Sequence, residues 1–390
     1  MSVLDLASTR ARFARVIAPA IGLLVATAAL GGATASAAQG GLSTFSVYAS
    51  GLNNPRGLTF GPDGKLYVAE GGLGGSRTTV GQCEQAQNVG PYKGGFTASI
   101  ARINSSGTVT RIATGLPSDE TGPQLGSLKS GVADLAFIGK NLYGLEAAAG
   151  CSHGLLGTFN SVFRVNKDGS TRSIANLSAF IMAHPTAHEN NNPVTGDFEP
   201  DGTWYGMVAA KGALYAVEPN HGEVDRVTVG GHISRLIDVS AAAYPLGLGM
   251  PQGHIVPTAI TVNDGSLYIA NLDVFDPGFQ DQSRVFKITR GGGLQTVAGG
   301  LNAVTGLRFD EDGRIYALET FTGSSFPAPF SGKVVRLNQS GGWDTVASGL
   351  NFPTGMTFGP NGNLYVSNCG FGCPPGAGQV VRINVGDQED

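Results

Sequence analysis

Apolar and polar residues alternate along most of this chain in short runs, each broken by a turn rich in Gly, Asp or Asn. That period of two is the signature of β-strands with one buried face. One run recurs as Leu or Ile, Tyr, two further residues, then Glu or Asn. It ends at Glu70, Glu146, Glu218, Asn271, Glu319 and Asn368. The fullest copy runs from Gly57 to Glu70 through the turn Gly61-Pro62-Asp63-Gly64, and Thr354 to Asn368 nearly repeats it. A unit that cannot bury its own apolar face and recurs along the chain must stack on copies of itself, so the repeats predict an all-β, six-bladed β-propeller.

Each unit predicts an inner strand such as Gly57 to Phe60, a tight turn, and a second strand such as Leu66 to Glu70. The dipeptides Asp63-Gly64, Asp264-Gly265, Asp312-Gly313 and Asn361-Gly362 suit the reversal, because they tolerate positive φ. A third strand follows, as in Ile100 to Asn104 or Val334 to Asn338, and a fourth, as in Thr108 to Ala113 or Trp343 to Ala347. After Val380 to Asn384 the last unit has no fourth strand. Phe45 to Leu52 has the same ending as Thr345 to Leu350, so the N-terminal strand is expected to close the last blade and cover its free edge. The recurrent Tyr at 67, 143, 215, 268, 316 and 365 is expected to fill space between blades.

Composition agrees with many short strands. There are 60 Gly residues, and charged residues make up only 14%. Residues 1–38 read as an export signal: Arg10, Arg12 and Arg15, an apolar stretch from Val16 to Leu30, then Ala33 to Ala38 as a cleavage zone. Pro19 and Gly22 interrupt that stretch, which disfavours a membrane-spanning helix, and no span is expected after its removal. Residues 39–390 are then one propeller domain, secreted or periplasmic. Loss of three Arg and one Asp takes the formal charge from −4 to about −6. An acidic surface without basic runs gives no reason to bind nucleic acid. Cys83, Cys151, Cys369 and Cys373 all lie in the exported part, where two disulfides are expected: Cys369 with Cys373 as the local pair, and Cys83 with Cys151.

Every long insertion falls on one face of the predicted ring, which makes that face the place for function. Aligning the two inner strands of each blade sets Glu70 beside Arg56, Asn271 beside Thr258, Glu319 beside Thr305 and Asn368 beside Thr354. With Glu146, Glu218, His221 and His254 these residues form a candidate polar ring at the channel mouth, suited to a small molecule, glycan, protein or cation. An alternative role for them is to accept hydrogen bonds from loop backbones and tie blades together. No cofactor is expected. His184 and His188 are spaced for one helix face, but Pro185 and Asn190 to Pro193 favour a loop over a zinc site. Asp273, Asp276 and Asp281 lack the central Gly of a calcium loop. Gly150-Cys151-Ser152-His153-Gly154 has the letters of a serine-hydrolase elbow without the helix that strains the serine outward.

The export signal, the segment Asn53 to Gly64, Glu199-Pro200-Asp201-Gly202-Thr203-Trp204-Tyr205-Gly206, Glu218 to Val224 and Val256 to Val262 together resemble the ScyD/ScyE family. The likeness spans essentially the whole mature chain. Where that family has a Pro-Asp-Ser-Asn-Pro-Tyr-Gly-like segment, this chain has Pro200 to Gly206. The resemblance implies an exported propeller and no particular reaction. Two functions follow as expectations. One is a non-catalytic scaffold that binds a ligand or protein. The other is an extracytoplasmic enzyme, a metal-dependent lactonase-like hydrolase or a quinone-dependent sugar dehydrogenase, with Glu218, His221 and His254 as candidate groups.

Overall fold

The computed structural model describes residues 44–123, 127–189, 198–249, 252–272, 281–322 and 328–385. The expected export signal, and Asp273 and Asp276, lie outside the described residues. Six antiparallel sheets succeed one another along the chain, so the protein is a six-bladed β-propeller. The inner strands of blades 1 to 6 are Pro55–Phe60, Val132–Ile138, Gly206–Ala210, Pro257–Asn263, Val304–Phe309 and Gly355–Phe358. Phe45–Leu52 pairs antiparallel with Gly378–Ile383 and supplies the outer strand of blade 6, as the sequence predicts. Among the described residues no helix is long and apolar enough to cross a membrane.

Blade 1 departs from the expected four strands. Its third and fourth strands, Gly95–Ile103 and Val109–Glu120, extend beyond the sheet body, and Lys129–Ser130 adds a fifth. Parts of the insertions Gly71 to Ala98 and Pro117 to Ser130 are therefore strand, because the extended hairpin keeps its backbone groups paired above the ring. Two short helices, Leu177–Ala183 and Val239–Ala243, follow the outer strands of blades 2 and 3. Asn176 and Asp238 cap them by accepting hydrogen bonds from the amides of Ala179 and Ala241.

Apolar clusters between neighbouring blades form the core. The repeated Tyr lies edge-on to a Phe at or next to the end of the next inner strand: Tyr67 on Phe137, Tyr268 on Phe309, Tyr316 on Phe358, and Tyr365 on Phe60 across the closure, with centroids 4.8 to 5.1 Å apart. Edge-to-face pairs of this kind each contribute about 1 kcal/mol beyond area burial. Both disulfides form in the expected pairing, Cys83 with Cys151 and Cys369 with Cys373.

Candidate functional site

The inner strands of blades 1, 2, 4 and 5 do not keep a regular ladder at their upper ends. In blade 1 Leu58 pairs with Val68, yet Pro55 pairs with Glu70, which leaves one extra residue on the inner strand. Val132 opposite Glu146, Pro257 opposite Asn271 and Val304 opposite Glu319 show the same offset. A bulge of one residue turns the side chain at that point to the other face of the strand. The register expected from the sequence, with Arg56 beside Glu70 and Thr305 beside Glu319, is therefore off by one. Arg56, Thr258 and Thr305 are the bulged residues, and they line a cavity at the channel mouth.

The Glu and Asn of the repeat stand elsewhere. Glu70 is fully buried; it accepts from the Asn53 amide at 2.7 Å and the Ser99 hydroxyl at 2.6 Å, and receives two bonds from Arg111, each 2.8 Å. Glu319 accepts from the Asn302 amide and pairs with Lys333, and Asn368 accepts from the Asn351 amide. In these three blades the acceptor holds an amide seventeen residues back, just ahead of the inner strand. Glu146 accepts from Ala147 and Ala148, Glu218 from Thr203 and His221, and Asn271 from Arg284. None of these six residues lines the cavity.

Thr258 and Thr305 line the mouth cavity and Thr354 the narrower space below it, and all three also join the blades. Thr258 donates to the Val304 carbonyl, Thr305 to Pro353 at 3.2 Å, and Thr354 to Pro55 at 2.6 Å, each bond reaching the next blade. One residue below, Gly57, Gly206, Gly306 and Gly355 narrow the channel. A methyl on Gly57 would sit 1.9 Å from Asp134 Oδ1, so only Gly lets Asp134 reach across. Asp134 accepts from the Met207 amide at 2.8 Å. Burial raises its pKa to about 6, against the charge of Arg308 below it. The narrowed space holds about 20 Å³.

The mouth cavity above has a volume of about 190 Å³. Its walls come from the inner strands and the decorated loops: Arg56, Tyr205, Thr258 and Thr305 below, with Tyr92, Glu199, Leu272, Thr320 and Phe371 around them. Arg56 is 9% exposed and donates to the Lys129 carbonyl. Its guanidinium lies 5.9 Å from the Tyr205 ring centroid and 6.0 Å from that of Phe371. Among the described residues no carboxylate stands within ion-pair distance of it.

Behind the Glu199 wall lies a network that the sequence reading missed. His153 is fully buried, with Nδ1 2.5 Å from Asp119 Oδ2 and Nε2 2.9 Å from the Gly202 carbonyl, and it stacks on Tyr92. Two acceptors facing two ring nitrogens call for the doubly protonated ring. Burial alone would lower its pKa, but the Asp119 hydrogen bond and the charges of Asp119, Glu199 and Asp201 raise it to about 9. Tyr92 donates to Glu199 Oε1 at 2.6 Å, and the Thr203 hydroxyl donates to Oε2. Ser152, the serine of the elbow-like letters, donates to Asp201 at 2.6 Å. Asp119 and His153 are 34 residues apart and no local pattern links them; the Cys83–Cys151 bridge is the sequence feature that anchors the loop carrying His153.

His221 is held the same way, with Nδ1 3.2 Å from Glu189 and Nε2 3.0 Å from the Glu199 carbonyl. His254 is buried near Glu218, and neither His221 nor His254 lines the cavity. His184 is exposed and stacks on Phe180, whereas His188 stacks on Tyr244. Among the described residues no three His, Cys, Asp or Glu side chains converge in an arrangement fit for a metal ion.

No protein-family model matches the chain, and no curated protein matches it either. Solved structures do. A protein of unknown function from Bacteroides thetaiotaomicron superposes with a TM-score of 0.51 at 14% identity, covering 87% of this chain and 72% of its own. A putative oxidoreductase (glucose dehydrogenase) from Thermus thermophilus gives 0.50 at 17%, covering 87% and 99%. A gluconolactonase from Xanthomonas campestris gives 0.48 at 11%, covering 87% and 89%. At such identities likeness is a matter of architecture: this chain has the six-bladed propeller fold, and its chemistry has to be argued from its own side chains.

Proposed function

We propose that this propeller acts outside the cytoplasm as a non-catalytic scaffold, binding a small molecule in the cavity of its loop-bearing face. One observation carries the reading. Two histidines and the carboxylate beside the cavity are already engaged: both ring nitrogens of His153 and His221, and both carboxylate oxygens of Glu199. A general base needs a lone pair facing the substrate, and these groups are held to position loops instead. Export is supported by residues 1–38 and by two disulfides, which persist in oxidising compartments. The ScyD/ScyE-like segments fit the same assignment, since Glu199 and Tyr205 of one of them stand in the cavity wall.

Thermal unfolding of the mature protein against a panel of small metabolites and short glycans tests this. At least one compound should raise the melting temperature of the parent and leave Leu272→Trp, in which the cavity is filled, unmoved. Turnover of a lactone, or dye reduction with a sugar after addition of pyrroloquinoline quinone, would replace the scaffold with an enzyme.

A further inference from the structure

We infer that the ligand of this cavity is a small organic anion, a monocarboxylate with an apolar body, and that Arg56 grips its carboxylate; this rests on the cavity being the binding site. Arg56 brings a full positive charge to a largely enclosed wall. Its hydrogen-bond partner is a neutral carbonyl, Lys129 O, and the neighbouring Lys129 ammonium is itself paired with Glu120 at 3.1 Å. An enclosed charge without a counterion is costly, and the cost falls when an anion enters beside it. The planar guanidinium offers paired N–H donors that match the two oxygens of a carboxylate.

Two further groups point the same way. Thr320 is 1% exposed and lines the cavity, and among the described residues its hydroxyl has no hydrogen-bond partner. A buried hydroxyl left in that state is unfavourable until a ligand oxygen meets it. Leu272, Val256 and Phe371 give the wall an apolar part that suits a hydrocarbon or aromatic body. The charge is limited to one. Among the described lining residues Glu199 is the one carboxylate and Arg56 the one cation, so a second negative charge, as on a phosphate or dicarboxylate, would meet repulsion.

The test uses two matched pairs, benzoate with benzamide and hexanoate with hexanamide, titrated into the mature protein and followed by calorimetry. The acids should bind at least tenfold more tightly than their amides. Arg56→Gln should remove that preference, Arg56→Lys should keep part of it, and Thr320→Val should weaken the acids severalfold while leaving the preference. Unfolding curves for each variant separate loss of binding from loss of fold. Equal binding of acid and amide, or a preference that survives Arg56→Gln, overturns the inference. If the neutral amides bind and Leu272→Trp abolishes it, the cavity remains a binding site while the anion assignment falls. Failure of both acids to bind the parent at millimolar concentration also overturns it.

Discussion

Thr354 of the last blade donates its hydroxyl to the carbonyl of Pro55 in the first, 2.6 Å away and 299 residues apart in sequence. The bond belongs to a series with Thr258 and Thr305, so the mouth of the channel is laced by side chains that each reach one blade onward. At this point the lacing also closes the ring. Thr354→Val keeps the shape and removes the donor, leaving a buried carbonyl short of a partner. The expected loss is about 1–2 kcal/mol in denaturant unfolding. An unchanged midpoint would show that the ring closes without it.

Closure of the outer edge depends on the strand Phe45–Leu52. Its partner, Gly378–Ile383, would otherwise present a row of unpaired backbone groups. Deleting Ser43 through Ser50 should give protein that aggregates or fails to fold, as judged by light scattering and circular dichroism. A truncated protein as soluble and heat-resistant as the parent would refute the assignment.

Glu70 tests whether the repeated acidic position is structural. Its carboxylate is buried among the Asn53 amide, the Ser99 hydroxyl and Arg111. Glu70→Ala strands those donors and should cost about 3 kcal/mol, with Glu70→Gln costing less because it keeps an acceptor. Ligand binding in the cavity should survive Glu70→Gln. Loss of binding without loss of stability would place Glu70 in the site after all.

Alkaline pH should weaken the fold through two buried groups. Burial raises Glu146 to about 8, against the amides of Ala148 and Ala147, so the folded state favours its neutral form. Its contribution is complete below the ordinary carboxylate range near 4.5 and fades as pH climbs through 8. His153, raised to about 9, contributes fully below its ordinary value near 6.5, and that contribution is lost as pH passes 9. Melting temperature should therefore fall between pH 5 and 9.5. Glu146→Gln should flatten the decline below pH 8, and a curve parallel to the parent's would exclude Glu146 as its source.

Much of the architecture could be read from the chain. The run ending at Glu70 recurs often enough to count the blades, and the likeness of Phe45–Leu52 to Thr345–Leu350 located the closing strand. Both signals are local, since turn chemistry and alternation act over a few residues. The candidate site was legible only in part. Arg56, Thr258 and Thr305 belong to the cavity, but their supposed neighbours Glu70, Asn271 and Glu319 turn away from it, because a bulge is a property of how two strands meet and leaves no mark on either strand alone. The meeting of Asp119, His153 and Glu199 was not legible for a related reason: three separate insertions bring them together.

From its order of residues alone, then, this chain specifies repeated β units, their number and the way its ends meet, because short-range alternation and tight turns leave few other folded forms. Which side chains share the mouth, which acids merely hold backbone amides, and how Arg56 comes to lack a carboxylate partner among the described residues were decided by tertiary structure. Those outcomes depend on register and on contacts between blades far apart in the chain, where one extra residue in a strand exchanges one face for the other.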